Sequence, residues 1–510
     1  MKKFEGQMWL LLALLLAGAA LALRLWLRRA RDLPPGPWGL PVLGYLPWLD
    51  RLRPHETLAA LALRYGPIFT VPMGGVTAVV LAEEALVRTA LAREACSGRA
   101  PLYLTHGLMQ GHGLICAEGP MWRDQRRLVA AALKNLGAVR SPGPRRDRLQ
   151  ERVCRGVRAF VQSVTEASRQ QDGVVDPHAH LTEAVGNVVN SVVFGRTWAP
   201  DDPTWLWLQR IQDEGTKLIG VAGAINFLPF LRLLPQNGRA IRWLKEGQRS
   251  QHGLYAELVA EVRSGLGEAD DQDDDGCGAP DNLLTAWLRE SARRPDSPFY
   301  TDRQLHYLLA DLFGAALDTT VTTLRWLLLF VAANPVAQER VHRELDAVLG
   351  GREPTLDDQA ALPYTQATIM ETQRIRSVTP LGIPHGVVED TTLDGFRIPK
   401  GTMLVPLQWA IHMDPQRWDR PDEFRPERFL AEDETLLRPD GFIPFQTGKR
   451  MCVGDEWARM MLFLFSAGML QRLQLSLPDG VEADLEGVCG ITLTPKDQAL
   501  RCVERQLRKK

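Results

Sequence analysis

Apolar and polar positions follow one another along the chain in a pattern that predicts mainly helices. Apolar residues recur at the three- and four-residue spacing of a buried helical face in five long runs, which cover residues 181–195, 303–333, 335–349, 365–376 and 455–473. A β-branched stretch broken by turns predicts a small sheet near residues 67–82, and strand-like pieces lie near residues 383–406 and 487–503. We therefore expect a mainly α fold with a small β part.

The N-terminal segment MWLLLALLLAGAALAL, residues 8–23, contains no charge. Extended to Leu27 it has about 20 residues, which is enough for a helix to cross the core of a bilayer. Four arginines follow the segment closely and only two lysines precede it, so the positive-inside rule places the rest of the chain on the cytosolic side. We interpret residues 1–33 as a single-pass transmembrane anchor, with a cleaved signal peptide as the alternative.

Residues 34–44, PPGPWGLPVLG, contain four prolines and three glycines and predict a stiff hinge between the anchor and the body. The whole chain of 510 residues carries 60 basic and 61 acidic side chains, which gives no electrostatic basis for nucleic-acid binding. Its seven cysteines form no CxxC pair, which favours a reducing compartment over a disulfide framework. No phosphate-binding or dinucleotide-binding glycine motif is present.

The segment FQTGKRMCVG, residues 445–454, holds one cysteine in a glycine-rich turn directly before a predicted helix. The helix dipole and the adjacent cations favour a thiolate at Cys452, although a buried structural cysteine would explain that residue alone. With Phe445, Gly448, Arg450 and Gly454, the segment resembles the haem-binding loop of the cytochrome P-450 superfamily, the haem-thiolate monooxygenases.

This resemblance extends from the hinge to the C-terminal strands and implies the cytochrome P-450 fold, with haem b between two central helices. Residues 45–510 would then form a haem-thiolate catalytic domain, with Cys452 as the axial ligand of the iron. The loop residues named above would bind the cofactor together with Trp122 and Arg126 of MWRDQR and His385 of IPHGVVED. The cations among them would hold the haem propionates through charge-assisted hydrogen bonds.

Two further motifs match the family. In ETQR, Glu371 and Arg374 lie three residues apart on one helical face, and Arg428 of RPERF would join them in a buried network behind the cysteine loop. An ordinary surface ion pair is the alternative. In LLADLFGAALDTTVTTLRW, Asp318 and Thr319 match the pair that relays protons to dioxygen, and the other interpretation is a core helix with one polar break.

The resemblance also places a substrate pocket along the chain. Ala316 stands where the family more often has glycine, so its methyl group would crowd the dioxygen groove. The residues expected around the pocket are apolar, which favours a lipophilic substrate. They are Phe313, Ala316, Leu317, Val378, Leu381, Ile383, Val488 and Ile491.

Within the superfamily, VGNVVNSVVFG and INFLPFL are similar to the animal microsomal enzymes that oxidise drugs and steroids. DLFGAALDTTVTTLRW and PFQTGKRMCVGDE most resemble the arthropod hydroxylases of ecdysteroid precursors, in particular the steroid 25-hydroxylase. Oxidation of xenobiotics or fatty acids is the alternative within the family. A haem-thiolate isomerase or lyase and a non-catalytic haem- or lipid-binding protein are the alternatives from other classes.

Because the chain lacks a flavin or nicotinamide motif, electrons must come from a partner. The resemblance implies an NADPH-cytochrome reductase in the endoplasmic reticulum membrane, with cytochrome b5 as a second donor. The basic residues that we expect to attract an acidic reductase surface are Arg123, Arg127, Lys134 and Lys449.

Overall fold

A computed structural model of the protein describes residues 32–218, 220–269 and 281–506. The predicted membrane anchor lies outside these residues except for its last two positions. Most of the acidic stretch EADDQDDDGCGAPD, residues 268–281, lies outside them as well.

The helices dominate the described part of the chain, as the apolar pattern predicts. They are α1 (Pro54–Tyr65), α2 (Glu84–Ala92), α3 (Gly119–Leu136), α4 (Pro144–Gln170), α5 (His178–Val193), α6 (Pro203–Leu218), α7 (Pro235–Ala269), α8 (Leu283–Arg293), α9 (Asp302–Ala333), α10 (Pro335–Leu349), α11 (Pro363–Ile375), α12 (Gln408–His412) and α13 (Asp455–Arg472).

The strands are short, and nine of the twelve in the described residues fall in the three predicted stretches, whereas β3, β4 and β9 lie outside them. They are β1 (Ile68–Met73), β2 (Val76–Leu81), β3 (Gly98–Arg99), β4 (Val174–Val175), β5 (His385–Gly386), β6 (Thr391–Leu393), β7 (Phe396–Ile398), β8 (Met403–Pro406), β9 (Leu473–Ser476), β10 (Gly487–Cys489), β11 (Leu493–Pro495) and β12 (Leu500–Glu504). Five of them form one sheet in the order β1-β2-β8-β5-β3, in which only the β2–β8 pair is parallel.

Helix α9 passes through the centre of the molecule and contacts α5, α7, α11 and α13. It is apolar on most of its circumference because it packs against neighbours on nearly every side. Within the described residues it is the one helix that is long and apolar enough to cross a membrane, and most of it is buried in the protein. Its composition is therefore that of a core helix.

The proline-rich hinge does not stand free but lies along the outer edge of β1. The N–H of Thr70 donates to the carbonyl of Pro35 at 2.8 Å, and the N–H of Tyr45 donates to the carbonyl of Pro72 at 2.6 Å. Gly44 adopts a φ of +61°, and a side chain there would collide with the backbone of β1. The hinge thus continues the sheet instead of acting as a plain linker.

Candidate active site

A large internal cavity lies between α9 and the loop that precedes α13. It encloses about 2330 Å³, counting the solvent at its openings. Helices α6 and α7 form its roof, and the segment after α11 and the turn after β10 contribute to its sides. Lining residues that bear on the chemistry are Arg99, Trp122, Arg126, Asp311, Ala315, Asp318, Thr319, His385, Phe445, Arg450 and Cys452.

The loop before α13 presents the thiol of Cys452 to this cavity. Among the six free cysteines of the described residues, Cys452 alone has a large accessible surface, and this surface faces the cavity inside the protein. The other five are buried. Burial in the protein raises the pKa of this thiol, while the N–H of Gly454 and the charges of Arg126 and Arg459 oppose that rise. A metal bound to the sulfur would supply the larger charge that a thiolate needs.

The two glycines of the motif occupy their positions for different structural reasons. Gly448 adopts a φ of +75°, and a Cβ atom there would lie 2.3 Å from the carbonyl oxygen of Leu91. Gly454 lies directly before α13, and its N–H faces the sulfur of Cys452. Neither glycine lines the cavity. Gly448 therefore allows the close approach of the loop to α2, and Gly454 supplies the backbone donor at the sulfur.

Three arginines face the cavity without an ion-pair partner among the described residues: Arg99, Arg126 and Arg450. Their guanidinium groups donate to backbone carbonyls, as from Arg450 to Ala117 at 2.6 Å and from Arg126 to Met451 at 2.7 Å. Burial lowers the pKa of Arg450 to about 8 and the pKa of Arg99 to about 10. Buried cations of this kind need an anion at the site.

Arg99 was not among the residues that the sequence predicts for the site. It lies in SGRAP, which carries no recognisable motif, and only the short pairing of β3 with β5 brings it to the cavity. The predicted Trp122 is buried beneath Arg450, whose guanidinium carbon lies 4.3 Å from the centre of the ring. Trp122 therefore fixes the position of Arg450 through a cation–π contact.

His385 lies at the same end of the cavity as the arginines. Its Nδ1 atom donates to the carbonyl of Cys96 at 2.9 Å, and burial lowers the pKa of the ring to about 3. A neutral ring with its proton on Nδ1 leaves Nε2 as an acceptor. As a propionate donor, which the sequence predicts, His385 would have to become charged beside a bound carboxylate.

The α9 wall of the cavity carries the predicted acid and threonine. The hydroxyl of Thr319 donates to the carbonyl of Ala315, four residues earlier in the helix, at 2.8 Å. Oδ2 of Asp318 accepts from the hydroxyl of Thr492 at 2.9 Å. Burial raises the pKa of Asp318 to about 6, although the bond from Thr492 lowers it. The carboxyl group can therefore change its protonation state near neutral pH.

A second carboxyl group on the same face of α9 belongs to Asp311, which the sequence interpretation missed. Its Oδ2 atom accepts from the N–H groups of Leu114 and Ile115 at 2.7 and 2.8 Å. Burial raises the pKa of Asp311 to about 7. Its position, seven residues before Asp318, is two helical turns away and could have identified it. Asp311 joins the loop before α3 to the central helix.

The structure brings three of the eight predicted pocket residues to the cavity, namely Val378, Ile383 and Ile491. Phe313 and Leu317 face the core on the opposite side of α9, where the ring of Phe313 packs against Phe194 and Trp205. The other residues that lie outside the lining are Ala316, Leu381 and Val488. This corrects the predicted pocket, and it removes the methyl group of Ala316 from the cavity wall.

The roof of the cavity is more polar than the sequence predicts. Helix α6 contributes Gln212 and Thr216, and α7 contributes Gln248 and Gln251. Gln212 packs directly over Gly314, where a Cβ atom would lie 2.7 Å from its side-chain oxygen. The cavity therefore combines apolar side walls with amide groups on its roof.

Glu371, Arg374 and Arg428 form one buried network. Both oxygens of Glu371 accept from Arg374, at 2.7 and 2.9 Å, and Oε1 also accepts from Arg428 at 3.0 Å. Arg374 donates in addition to the carbonyl of His412, whose Nε2 atom accepts from the N–H of Ile443. The network thereby connects α11 to the segment that leads into the cysteine loop.

The predicted basic surface is partly neutralised. Lys449 lies 2.9 Å from Glu94, and Arg123 lies 3.7 Å from the same carboxylate. Arg127 and Lys134 are exposed on α3 and form no ion pair within the described residues.

The chain's own residues fit a bound haem. One thiol, an acid–threonine pair and three arginines line the same cavity. Arg99 and Arg450 are buried, Arg126 is half-buried, and none of the three has an ion-pair partner among the described residues. Cys452 would bind the iron, and Arg99, Arg126 and Arg450 would bind the two propionates as charge-assisted donors.

Comparisons with known proteins agree with this geometry. The family model for cytochrome P450 matches residues 34–501. Cytochrome P450 306a1 of Drosophila melanogaster is 45% identical, covering 96% of this chain and 93% of the relative. Cytochrome P450 18a1 of the same species is 32% identical over 94% of this chain and 88% of the relative. Canine cytochrome P450 1A1 is 32% identical over 97% of this chain and 95% of the relative. The chain therefore belongs to the cytochrome P450 family, the haem-dependent monooxygenases that use dioxygen and electrons derived from NADPH.

Proposed function

We propose that the protein hydroxylates a steroid, with carbon 25 of an ecdysteroid precursor as the site of attack. The observation that carries the proposal is the joint lining of one cavity by the thiol of Cys452, the Asp318–Thr319 pair and apolar side walls. Such a chamber suits a lipophilic molecule that is oxidised at an unactivated carbon.

The chain's residues have distinct roles in this reaction. When bound, the haem supplies the activation of dioxygen, which side chains alone do not provide. Asp318 holds or releases a proton near neutral pH, and Thr319 presents its hydroxyl on the same wall of the cavity. The haem would be held against Cys452 by the side chains of Trp122, Arg126 and Arg450.

The steroid assignment is supported by the resemblance of two segments, the α9 sequence and the cysteine loop, to the arthropod ecdysteroid hydroxylases. Cytochrome P450 306a1 of Drosophila melanogaster is 45% identical to the chain, whereas the second Drosophila relative and the canine relative are each 32% identical. The amides of Gln212 and Gln248 on the roof suit the hydroxyl and keto groups of an oxygenated steroid better than a plain hydrocarbon chain. Xenobiotics and fatty acids are the alternative substrates.

We further propose that residues 1–33 anchor the protein in the endoplasmic reticulum membrane and that residues 45–510 act on its cytosolic side. An exposed apolar surface supports this orientation. The hinge exposes Trp38 and Val42, and the segment after α6 exposes Phe230 and Leu233. The turn between β1 and β2 joins the two, since Gly74 contacts Leu228 and its N–H donates to the carbonyl of Leu43. Exposed apolar side chains beside a predicted anchor suit contact with the lipid surface.

An NADPH-cytochrome reductase is the proposed electron donor, with cytochrome b5 as a second donor. Arg127 and Lys134 offer the uncompensated positive charge for docking an acidic partner.

The proposal is tested first by the reduced carbon monoxide difference spectrum of the wild type and of Cys452→Ser. We expect the long-wavelength thiolate band in the wild type and its loss in the variant. A wild-type spectrum without the band would refute Cys452 as the ligand.

A sterol panel with reductase and NADPH then tests the substrate. We expect turnover of ecdysteroid precursors that depends on NADPH and dioxygen, with the new hydroxyl located by mass spectrometry and NMR. Turnover of a hydroperoxide without NADPH would identify an isomerase or lyase. A normal spectrum without turnover of any substrate class would identify a non-catalytic haem protein.

A further inference from the structure

A second cavity lies on the other side of the cysteine loop, between α11, α13 and the loop that connects α3 to α4. It encloses about 860 Å³, counting the solvent at its mouth. Four arginines line it, and Glu456 is the only carboxylate in the lining. We refer to this site as the arginine cleft and define it by Arg140, Arg146, Arg438 and Arg459.

Two of the four arginines are neutralised within the protein. Arg140 donates to Glu456 from Nε at 2.9 Å and from one terminal nitrogen at 2.5 Å. Arg146 is 4% exposed and donates to Asp357 at 2.6 Å. Glu456, the one acid in the lining, is therefore already engaged by Arg140.

The other two arginines, Arg438 and Arg459, have no ion-pair partner among the described residues. Nε of Arg459 is buried and forms no hydrogen bond. Burial lowers the pKa of Arg459, and the positive charge of Arg438 lowers it further. The charges of Asp455 and Glu456 act in the opposite direction on Arg459, but neither acid forms an ion pair with Arg459 or with the exposed Arg438 among the described residues. The two guanidinium groups therefore still repel each other.

The remaining lining of the cleft suits an oxyanion. The side-chain amides of Gln359, Gln366 and Gln373 offer neutral donors beside the cations. Ile369, Met460 and Phe463 form an apolar back wall, which strengthens electrostatic attraction by keeping water away.

The cleft is physically connected to the haem cavity. The guanidinium carbon of Arg459 lies 4.5 Å from the centre of the Phe445 ring, and Phe445 lies at the start of the cysteine loop. Gln373 and Leu462 line both cavities, so the wall between them is one side chain thick at these positions. A change of charge in the cleft therefore acts on the cysteine loop across this shared wall.

We propose that the arginine cleft binds a phosphate group, either inorganic phosphate or a phosphate monoester, between Arg438 and Arg459. The tetrahedral oxyanion would accept hydrogen bonds from both guanidinium groups and relieve their repulsion. Its negative charge would also offset the effect of Arg459 on the thiolate. Because reduction adds an electron to the haem site, an added anion makes the reduction potential of the protein more negative.

The test uses the full-length holoenzyme at pH 7.4, with inorganic phosphate or glycerol 3-phosphate compared with chloride at equal ionic strength. We expect a saturable rise in Tm with at least one of the two phosphates. We also expect a more negative reduction potential, measured by spectroscopic titration with mediators. Arg438→Gln and Arg459→Gln should each weaken the phosphate affinity about tenfold or more, since each removes a charged donor.

Arg472→Gln is the matched control. Arg472 is half-buried on α13, has no ion-pair partner among the described residues, and lies about 20 Å along the helix from Arg459. We expect this variant to keep the full phosphate response. Equal Tm and equal potential in both phosphates and in chloride would overturn the proposal. A response that survives both Arg438→Gln and Arg459→Gln would overturn it as well.

Discussion

At the scale of single residues, burial decides the charge of the two carboxyl groups on the cavity face of α9. Asp311 and Asp318 both have a raised pKa, yet their partners differ. Asp311 accepts from two backbone N–H groups, whereas Asp318 accepts from one side-chain hydroxyl. The first carboxyl group is therefore held in place by the backbone, and the second can rotate toward the cavity.

Asp318→Asn tests the proton-relay role. The amide still accepts from Thr492 but does not exchange a proton, so we expect turnover to fall about 100-fold, the lower end of the range for general acid catalysis. The substrate-induced spectral shift should stay unchanged, because the cavity keeps its shape.

The matched control is Thr492→Val, which removes the partner and keeps the carboxyl group. We expect this variant to retain turnover within about threefold. Equal losses in both variants would assign Asp318 a positioning role instead of proton transfer.

Asp311 makes stability depend on pH. Its folded-state pKa, about 7, lies above the ordinary value of 3.8, so the folded protein keeps a proton that the unfolded chain releases between these values. The free energy of unfolding should therefore fall as pH rises from about 4 to 7, by about 4 kcal/mol from this group. In Asp311→Asn we expect urea titrations across this window to show a correspondingly smaller fall. An unchanged pH dependence would contradict the assignment.

At the scale of elements, the Glu371 network joins α11 to the segments on either side of the cysteine loop. Glu371 and Arg374 are fully buried. Neutralising the acid leaves two buried guanidinium groups without their counter-charge, a larger cost than the loss of one hydrogen bond.

For Glu371→Gln we expect a loss of about 3–5 kcal/mol in the free energy of unfolding, together with loss of bound haem. Urea denaturation and the absorbance of the haem measure the two effects. Glu423→Gln is the control, because Glu423 forms an exposed ion pair with Arg420 at 3.0 Å, which is worth at most about 1 kcal/mol. Similar losses in the two variants would argue against a buried network.

The sequence predicts where the helices lie better than it predicts which face of a helix meets the cavity. The five long apolar runs all appear as helices, with ends within about three residues of the prediction, because their periodicity and flanking residues are local signals. Phe313 and Leu317 were assigned to the pocket although they face the core. A helix that is apolar nearly all round does not indicate which face meets the cavity, and packing alone decides it.

The residues that we propose to bind the haem divide in the same way. Phe445, Arg450 and Cys452 were found because they lie in one short motif. Arg99 was not found, because a two-residue strand pairing across 286 positions brings it to the site. Contacts of that kind have no local signal in a single sequence.

At the scale of the whole molecule, the exposed charges of α3 and of the cysteine loop form the candidate docking surface. Arg127 and Lys134 are free for a partner, whereas Lys449 is shared with Glu94. Charge reversal should therefore act mainly on association with the reductase.

For the double variant Arg127→Glu and Lys449→Glu we expect the apparent KM for reductase to rise severalfold at low salt and less at high salt. The substrate-induced spectral shift of the holoenzyme should remain unchanged. Lys496→Glu is the control, since Lys496 pairs with Asp484 at 2.7 Å on another part of the surface. Wild-type turnover in the double variant at low salt would refute this docking surface.

The hinge along β1 also affects the solubility of the protein. β1 is the outermost strand of its sheet, and such an edge offers unpaired N–H and C=O groups to any other chain. The bonds from Thr70 to Pro35 and from Tyr45 to Pro72 occupy this edge, and prolines donate nothing further to a neighbour. A chain shortened to begin at Leu33 keeps this cover, whereas one that begins at Tyr45 loses it. We expect the first to stay dispersed and the second to aggregate in light-scattering measurements.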